Sequence, residues 1–99
     1  MKPIVVKKIL EAHCQRWLRK LWKDTPQEHR DAFLNDETDL IAYHHSIGRI
    51  MRNECGLWKY ADHLDEHPDD FSHRMLVKFR SRMQENTYTI SHLPNILGV

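Results

Sequence analysis

The sequence predicts an all-α protein: a single small domain of four to five helices packed around a central third helix, with an extended C-terminal tail. Three observations indicate this class. Apolar residues recur every three or four positions over long stretches, which is the period of an amphipathic helix. Helix start and stop residues separate these stretches. A run of β-prone residues then begins at Thr87. We therefore expect a helical domain over 1–86 and an extended tail, docked or flexible, over 87–99.

The first predicted helix runs from Ile4 to Trp22, with its apolar residues on one side and its basic residues on the other. Thr25 then stands where a helix cap is expected. Pro26 suits the first helical position, and Glu28 completes the pattern of a capping box. The second helix that this pattern starts is short and ends near residue 35.

The third predicted helix begins near Asp36 or Thr38 and ends at about Cys55. Gly48 interrupts its apolar stripe and predicts a close helix crossing, since glycine is unfavourable inside a helix. Gly56 predicts a left-handed helix stop, after which Leu57 folds back. Residues 58–66 are expected to form a short fourth helix. The fifth starts at Pro68 and runs to about residue 85.

The net charge of +1 conceals a strong separation of charge along the chain. Residues 1–23 carry seven basic side chains and one acidic side chain, for a net +6. Residues 24–70 carry a net −8, and residues 71–99 carry a net +3. The ends either pack against the acidic middle and compensate it, or they present a basic face to an anionic partner.

The two cysteines, Cys14 and Cys55, fall inside predicted helices and lack the spacing of a metal site. This favours reduced, buried thiols in a cytoplasmic protein over a disulfide. The N-terminal residues lack the apolar stretch of a secretory signal, and no apolar run approaches the length of a membrane span. We therefore expect a cytoplasmic protein without membrane contact.

Eight histidines raise the question of a metal site. His63 and His67 stand four apart, but no carboxylate or cysteine at matching spacing supports them. Ser46 and Ser72 are the hydroxyl groups nearest the histidine-rich segments, and neither sits in a nucleophile signature. The sequence therefore predicts no metal, no cofactor, no catalytic residue and no enzymatic activity.

Arg52 precedes the predicted helix stop and supports two hypotheses. In the first, it pairs with Asp69 or Asp70 and ties the third helix to the fifth. In the second, it lines a small polar pocket for an anionic group together with His45 and Arg49. His44 falls on the apolar stripe, where a hydrogen-bonded core histidine is expected.

The basic residues of the first and fifth helices, with two tryptophans, form a candidate interaction face. Arginine and aromatic side chains dominate many protein interfaces, which makes Trp17 or Trp22 the expected anchor. The same residues would also suit phosphate contacts and base stacking. The face consists of Arg16, Trp17, Arg19, Lys20, Trp22, Lys23, Arg74, Lys78 and Arg82.

The central third of the chain carries two motifs: His44-His45-x-x-Gly48-x-x-Met51-Arg52-Asn53-x-x-Gly56-Leu57-Trp58, and then His67-Pro68-Asp69-Asp70-x-Ser72. This pattern resembles an uncharacterised bacterial family of short helical proteins. The chain departs from that family at Cys55, where an aromatic residue is common, and in a shorter link before His67. The family has no established activity, so the resemblance implies none for this chain. It implies that one spatial cluster, either a scaffold or a binding site, contains His44, His45, Arg52, Asn53, Trp58, His67 and Asp70.

The expected function is that of a small non-catalytic interaction protein from a bacterium or bacteriophage. It would act as an adaptor, an immunity protein or an inhibitor that covers a surface of a protein partner. The alternative is a nucleic-acid-binding accessory protein that uses the basic faces of the first and fifth helices. A small hydrolase or metal protein centred on the histidines and Arg52 is the least favoured hypothesis. A homodimer is compatible with each of them.

Overall fold

A computed structural model of the chain describes residues 3–35 and 37–92. These residues contain helices and turns but no strand, so the predicted all-α class is confirmed. In chain order the elements are α1 (Pro3–Lys23), α2 (Gln27–Leu34), α3 (Ile41–Tyr43), a π-helical segment (His44–Gly48), α4 (Arg49–Glu54), a 3-10 helix (Ala61–His63) and α5 (Pro68–His92).

α1 matches the predicted first helix, and Leu10, Cys14 and Leu18 bury its apolar side. The capping box expected at the start of α2 does not form. Thr25 Oγ1 donates instead to the carbonyl of Leu21 at 2.8 Å. The Leu21 carbonyl at the end of α1 accepts the Asp24 N–H at 3.2 Å and still has a free lone pair, so it also accepts the nearby hydroxyl.

The predicted third helix consists of α3, the π-helical segment and α4, which follow one another without a break. It begins at Ile41, later than expected, because Asp39 Oδ1 accepts the Ile41 backbone N–H at 2.9 Å and so caps the helix there. Asp36, the earlier expected start, lies outside the described residues. The π-helical segment was not predicted, and it contains both adjacent histidines of the motif.

The stop after α4 has the geometry that the sequence predicted. Gly56 has a φ of 69°, in the left-handed region. The N–H of Leu57 donates to the Arg52 carbonyl at 3.0 Å, and the N–H of Gly56 donates to the Asn53 carbonyl at 3.4 Å. This is the hydrogen-bond pattern of a Schellman motif, and it turns the fully buried Leu57 into the core.

The expected fourth helix over 58–66 is wrong in type. The segment forms turns and one 3-10 helix, with bonds such as His63 N–H to the Tyr60 carbonyl at 2.9 Å. Asp65 then takes a φ of 56°, which ends the helical conformation. Only Leu64 is buried here, so the segment lacks the apolar face that would stabilise a longer helix.

α5 continues to His92, past the predicted end near residue 85. The extended conformation predicted from residue 87 is therefore wrong for residues 87–92, whereas 93–99 lie outside the described residues. No glycine or proline occurs between Asp69 and Leu93. The weak β propensity of the intervening residues does not interrupt the helix without such a breaker. Pro94 is the first residue that disfavours helix at the position before it.

α5 is the element on which most of the others pack, since α1, α2, the π-helical segment and α4 all contact it. The sequence predicted that role for the third helix, which is instead one of several elements lying along α5. At 25 residues α5 is the longest helix, so it has room for all of them. The core that they enclose comprises Leu10, Cys14, Leu18, Phe33, Leu40, Met51, Cys55, Leu57, Leu64, Phe71, Met75, Leu76 and Phe79.

The left-handed stop at Gly56 generates a stability prediction. Replacing Gly56 with Ala should lower the free energy of unfolding by about 1 kcal/mol, because a Cβ disfavours positive φ. The nearest side-chain atom to that Cβ would lie 3.8 Å away, so the cost is conformational and not a clash. Chemical denaturation measures it. Gly56→Asn is the control and should cost less, whereas equal losses for the two variants would contradict this explanation.

Candidate functional site

Arg52 is the centre of the motif cluster and is buried, with 7% of its surface exposed. Its Nη1 donates to Ser72 Oγ at 2.8 Å, and its Nε lies 3.2 Å from Asp69 Oδ1. Its Nη2 lies 3.5 Å from the carbonyl oxygen of His44, at the start of the π-helical segment. The guanidinium thus joins α4 to the first turn of α5, as the first hypothesis for this residue predicted.

Ser72 completes the attachment of Arg52 and is fully buried. While its oxygen accepts from Arg52, its hydroxyl donates to the backbone carbonyl of Asp69 at 3.0 Å. Asp69 therefore meets Arg52 directly through its carboxylate and indirectly through its carbonyl. The proton of Ser72 is committed to that carbonyl, so the hydroxyl is not poised as a nucleophile.

Gly48 provides the space that the Arg52 side chain occupies. A Cβ at this position would lie 3.2 Å from Arg52 Nη1 and 3.8 Å from Leu76 Cδ1. The close approach predicted for Gly48 is thus present, and it involves a folded-back side chain as well as α5. The arginine could not hold this position beside a larger residue without a local shift.

His67 caps α5 through its ring. The backbone N–H of Asp69 donates to His67 Nδ1 at 3.0 Å, so this nitrogen carries no proton. Asp69 Oδ2 lies 3.8 Å from the same nitrogen, farther than the backbone N–H. The edge of the half-exposed Trp58 ring packs against His67, with 5.5 Å between ring centroids. The histidine therefore takes the role that Asn or Asp usually has at a helix start.

His44 is partly buried, not a core residue as the sequence suggested. Its ring packs edge-on against those of His45 and His73, at centroid distances of 5.2 and 5.9 Å. Burial and the neighbouring positive charge of Arg52 lower the pKa of His44. The imidazole therefore stays neutral to a lower pH than a free histidine.

The structure brings together only part of the predicted cluster. Arg52, His44, His67 and Trp58 are joined by the contacts described above, either directly or through Asp69. His45 is exposed and, of the cluster members, packs only against His44. Asn53 is exposed at the end of α4. Asp70 is also exposed and lines a shallow pocket with His44, His73 and Val77, but it makes no ion pair with Arg52.

The basic residues of α1 and α5 form a second candidate site. Lys8, Arg16 and Arg19 from α1 face Lys78 and Arg82 from α5 across an open groove of about 310 Å³, which we call the α1–α5 groove. All five side chains are exposed. None of them has an ion pair within the described part of the chain.

Lys8 is the groove residue that the predicted interaction face omitted. Its distance of eight positions from Arg16 and eleven from Arg19 places the three on one side of a helix, so periodicity alone would have identified it. The floor of the groove includes the buried Gln15, whose Nε2 donates to the Met75 carbonyl at 3.1 Å.

Arg74, by contrast, does not belong to the groove, although the sequence placed it on the interaction face. Its Nη2 donates to Glu66 Oε1 at 2.6 Å and to Glu11 Oε1 at 2.9 Å. Hydrogen bonds to these two carboxylates raise the pKa of Arg74. The side chain thus links α5 to α1 and to the segment before α5, and its charge is neutralised.

The two tryptophans predicted as anchors pack against the core instead of projecting from it. Trp22 packs edge-on against Phe33 and Phe79, with centroid distances of 5.6 and 5.5 Å. The Arg30 guanidinium covers the ring and donates to the Trp22 carbonyl at 2.8 Å. Lys20 and Lys23 are exposed on the last turns of α1 but do not line the groove.

Two further findings concern metal ions and membranes. Among residues 3–35 and 37–92, no three histidine, cysteine or acidic side chains are grouped so that they could hold a metal ion. None of the helices in the same part of the chain combines the length and the apolar character needed to cross a membrane.

No protein-family model, curated protein sequence or solved structure matches this chain. The resemblance to a bacterial family therefore stays a prediction, and any function has to be argued from the two sites themselves.

Arg52 pairs with Asp69 and not with the adjacent Asp70, so substitution of the two carboxylates should affect stability differently. Asp69→Asn should lower the free energy of unfolding by about 1 kcal/mol more than Asp70→Asn, because only Asp69 pairs with the buried guanidinium. The estimate is modest since 43% of the Asp69 side chain is exposed. Both changes remove one negative charge from the first turn of α5, so helix-dipole effects cancel. Equal costs in chemical denaturation would show that the ion pair contributes nothing.

Because the His67 ring caps α5, two substitutions of His67 should differ in their effect on stability. His67→Ala should lower the free energy of unfolding by about 1 kcal/mol relative to His67→Asn, whose side-chain oxygen can accept the same backbone N–H. Both variants lose the contact with Trp58, so their difference measures the cap alone. Thermal or chemical denaturation gives the comparison. An alanine variant as stable as the asparagine variant would rule out a capping role.

Proposed function

We propose that this protein is a small non-catalytic interaction module that binds an acidic surface of a protein partner through the α1–α5 groove. The observation that supports the proposal is the convergence of five exposed cationic side chains from two helices on one groove. The protein would act by covering its partner's surface, as an adaptor, immunity protein or inhibitor from a bacterium or bacteriophage. Its cytoplasmic location belongs to the same proposal.

The charges of the groove are available to a partner. Glu11 is the one acidic residue that lines it, and its carboxylate is engaged by Arg74. The positive potential of the five cations is thus left uncompensated within the groove. Such a surface accelerates the encounter with an acidic partner and disfavours basic ones.

Apolar side chains beside the groove favour a protein over the backbone of a nucleic acid. Val5 and Ile9 are aliphatic residues of α1, yet they are 42% and 50% exposed. Their spacing from Arg16 places them on the same side of α1. Phosphate groups would gain nothing from these side chains, whereas a protein surface would bury them.

Arginines take the anchoring role for which the sequence suggested tryptophans. Trp22 is held between Phe33 and Phe79, and its removal from that site would open the core. Arg16, Arg19 and Arg82 are instead exposed and free to form bidentate contacts with carboxylates. The mechanism we propose is therefore recognition of clustered Asp or Glu side chains, with aliphatic contacts at the edge.

The internal contacts of the motif cluster support a scaffold role for it and a non-catalytic function for the protein. Arg52 has each of its three nitrogen atoms directed at a protein oxygen. Ser46 donates its hydroxyl to the Ala42 carbonyl at 3.0 Å, and Ser72 is committed in the same way. Within the part of the chain that the structure describes, the hydroxyls of both serines bond to backbone carbonyls and not to a general base.

Nucleic-acid binding is the second candidate, and one observation favours it. The basic faces of α1 and α5, which are distant in sequence, meet at the same groove, so several phosphates of one strand could be contacted together. This function would depend on the same cations as protein binding. Unlike protein binding, nucleic-acid binding would not depend on the neighbouring aliphatic residues Val5 and Ile9.

The proposal predicts which substitutions weaken binding. The tagged protein is captured from its native cells with and without nuclease, and the affinity of the purified partner is then measured. Arg16→Glu and Arg82→Glu should each weaken binding about tenfold or more, because charge reversal repels an acidic surface. Lys59→Glu, an exposed charge reversal outside the groove, is the matched control and should change affinity by no more than about twofold.

A further variant separates the two candidates. Ile9→Ser leaves every charge in place, so it should weaken binding to a protein and leave binding to nucleic acid unchanged. Nucleic-acid binding would also fall steeply as salt is raised, in proportion to the phosphates contacted. A partner that binds the Arg16→Glu and Arg82→Glu variants as tightly as the unsubstituted protein would contradict both candidate functions.

A further inference from the structure

A cleft that belongs to neither candidate site is lined by residues of α1, α2, the third helix and α5. Its volume is about 390 Å³, and its lining residues are aliphatic or aromatic except for Asp24, Thr25 and His29. We call it the aromatic cleft. Cavities of this size, mainly apolar with a few polar groups, are the usual binding sites of small molecules.

The aromatic walls of the cleft restrain one another. Phe33 packs edge-on against Tyr43 at a centroid distance of 5.1 Å, and its ring lies 6.1 Å from that of Phe79. Trp22 completes the cluster through its contacts with Phe33 and Phe79. The four rings come from α1, α2, the third helix and α5. The cleft is therefore preformed, and a ligand would not have to order its walls on binding.

Aliphatic side chains of the cleft are exposed to solvent. Leu21 of α1 is 39% exposed and Ile50 of α4 is 49% exposed, and both line the cleft. A molecule seated between them and the aromatic walls would remove apolar surface from water, which favours binding in proportion to the area covered. The first requirement on the ligand is thus an apolar body.

The charge at the cleft sets a second requirement. Asp24 is its one acidic residue, and neither lysine nor arginine is among the described residues that line it. In the same part of the chain the Asp24 carboxylate has no hydrogen bond or ion pair. It follows the last residue of α1, where a negative charge opposes the helix dipole, so helix stability does not account for it. A free carboxylate beside aromatic walls favours a cationic group on the ligand.

The neighbouring cations do not cancel this preference. Arg30 donates to the carbonyls of Trp22 and Lys23, at 2.8 and 3.2 Å, and its guanidinium covers the Trp22 ring. Neither Arg30 nor Lys23 lines the cleft. The Arg30 side chain is thus held by the end of α1, and the carboxylate of Asp24 stays available.

We propose that the aromatic cleft binds a small molecule that combines an apolar body with an ammonium group, such as an arylalkyl amine. The apolar body would occupy the space between the aromatic walls, and the ammonium group would pair with Asp24. This inference goes beyond the interaction function proposed above and is independent of it, since no residue lines both the cleft and the α1–α5 groove.

Three probes of similar size but different charge test the proposal on the full chain: phenylbutylamine, phenylbutanol and phenylbutyrate. Titration calorimetry at about pH 8, where imidazole groups in general are neutral, gives the Kd of each. The amine should bind about fivefold more tightly than the carboxylate, with the alcohol between them. The expected ratio is modest because Asp24 is exposed, and exposed charges interact weakly.

NMR spectra of the nitrogen-labelled protein locate the bound probe. The indole signal of Trp22 should shift on titration with phenylbutylamine, whereas that of Trp58 should stay unchanged, because of the two only Trp22 lines the cleft. A probe that shifts Trp58 and leaves Trp22 unchanged would place binding elsewhere and overturn the proposal.

Substitutions separate the charge from the apolar contact. Asp24→Asn should reduce the preference for the amine over the carboxylate to less than about twofold. Ile50→Ser should weaken all three probes about threefold or more, because it removes part of the apolar wall. Ile41→Ser is the matched control and should leave each Kd unchanged, since Ile41 is 56% exposed on the same third helix but does not line the cleft.

The three substituted side chains are exposed, so the variants should remain folded. The proposal is overturned if no probe binds saturably, or if phenylbutyrate binds as tightly as phenylbutylamine. A preference for the amine that persists in Asp24→Asn would overturn it as well. Arg16→Glu should bind the amine as the unsubstituted protein does, so a failure of the groove proposal can be told apart from a failure of this one.

Discussion

A buried guanidinium needs hydrogen-bond acceptors inside the protein, and the segments around Arg52 are arranged so that they supply them. The first turn of α5 supplies Ser72 and Asp69, and the π-helical segment brings the His44 carbonyl within reach. Gly48 leaves room for the side chain. Because these groups come from separate parts of the chain, satisfying one arginine fixes how the third helix meets α5.

The features that the sequence predicted correctly are those determined by neighbouring residues. Periodicity located α1, and Gly56 marked a stop whose positive φ few other residues adopt. The pairing of Arg52 with Asp69 was foreseen as one of two alternatives, since a charge on an apolar helix face needs a partner. The end predicted for α5 near residue 85 is wrong because the β-prone residues that follow do not interrupt a helix that meets no breaker before Pro94.

The features that the sequence missed depend on contacts between distant segments. Thr25 can bond either to the start of α2 or to the end of α1, and the position of the Leu21 carbonyl decides between them. Trp22 and Arg74 looked like surface residues because the sequence does not reveal that Phe79 and Glu11 lie opposite them. The α1–α5 groove shares this origin: each helix alone shows a basic stripe, and only their packing turns two stripes into one concave site.

The position of α5 has a consequence for the order in which this chain acquires its structure. The elements before it have few surfaces to pack on without it, since α1, α2, the π-helical segment and α4 all lie against α5, which follows them in the chain. Gln84 and Arg80 donate to the carbonyls of Leu34 and Thr38, which stand 50 and 42 residues earlier in the chain. The earlier elements should therefore reach their final packing on the ribosome only after α5 has emerged, with folding as a late, concerted event.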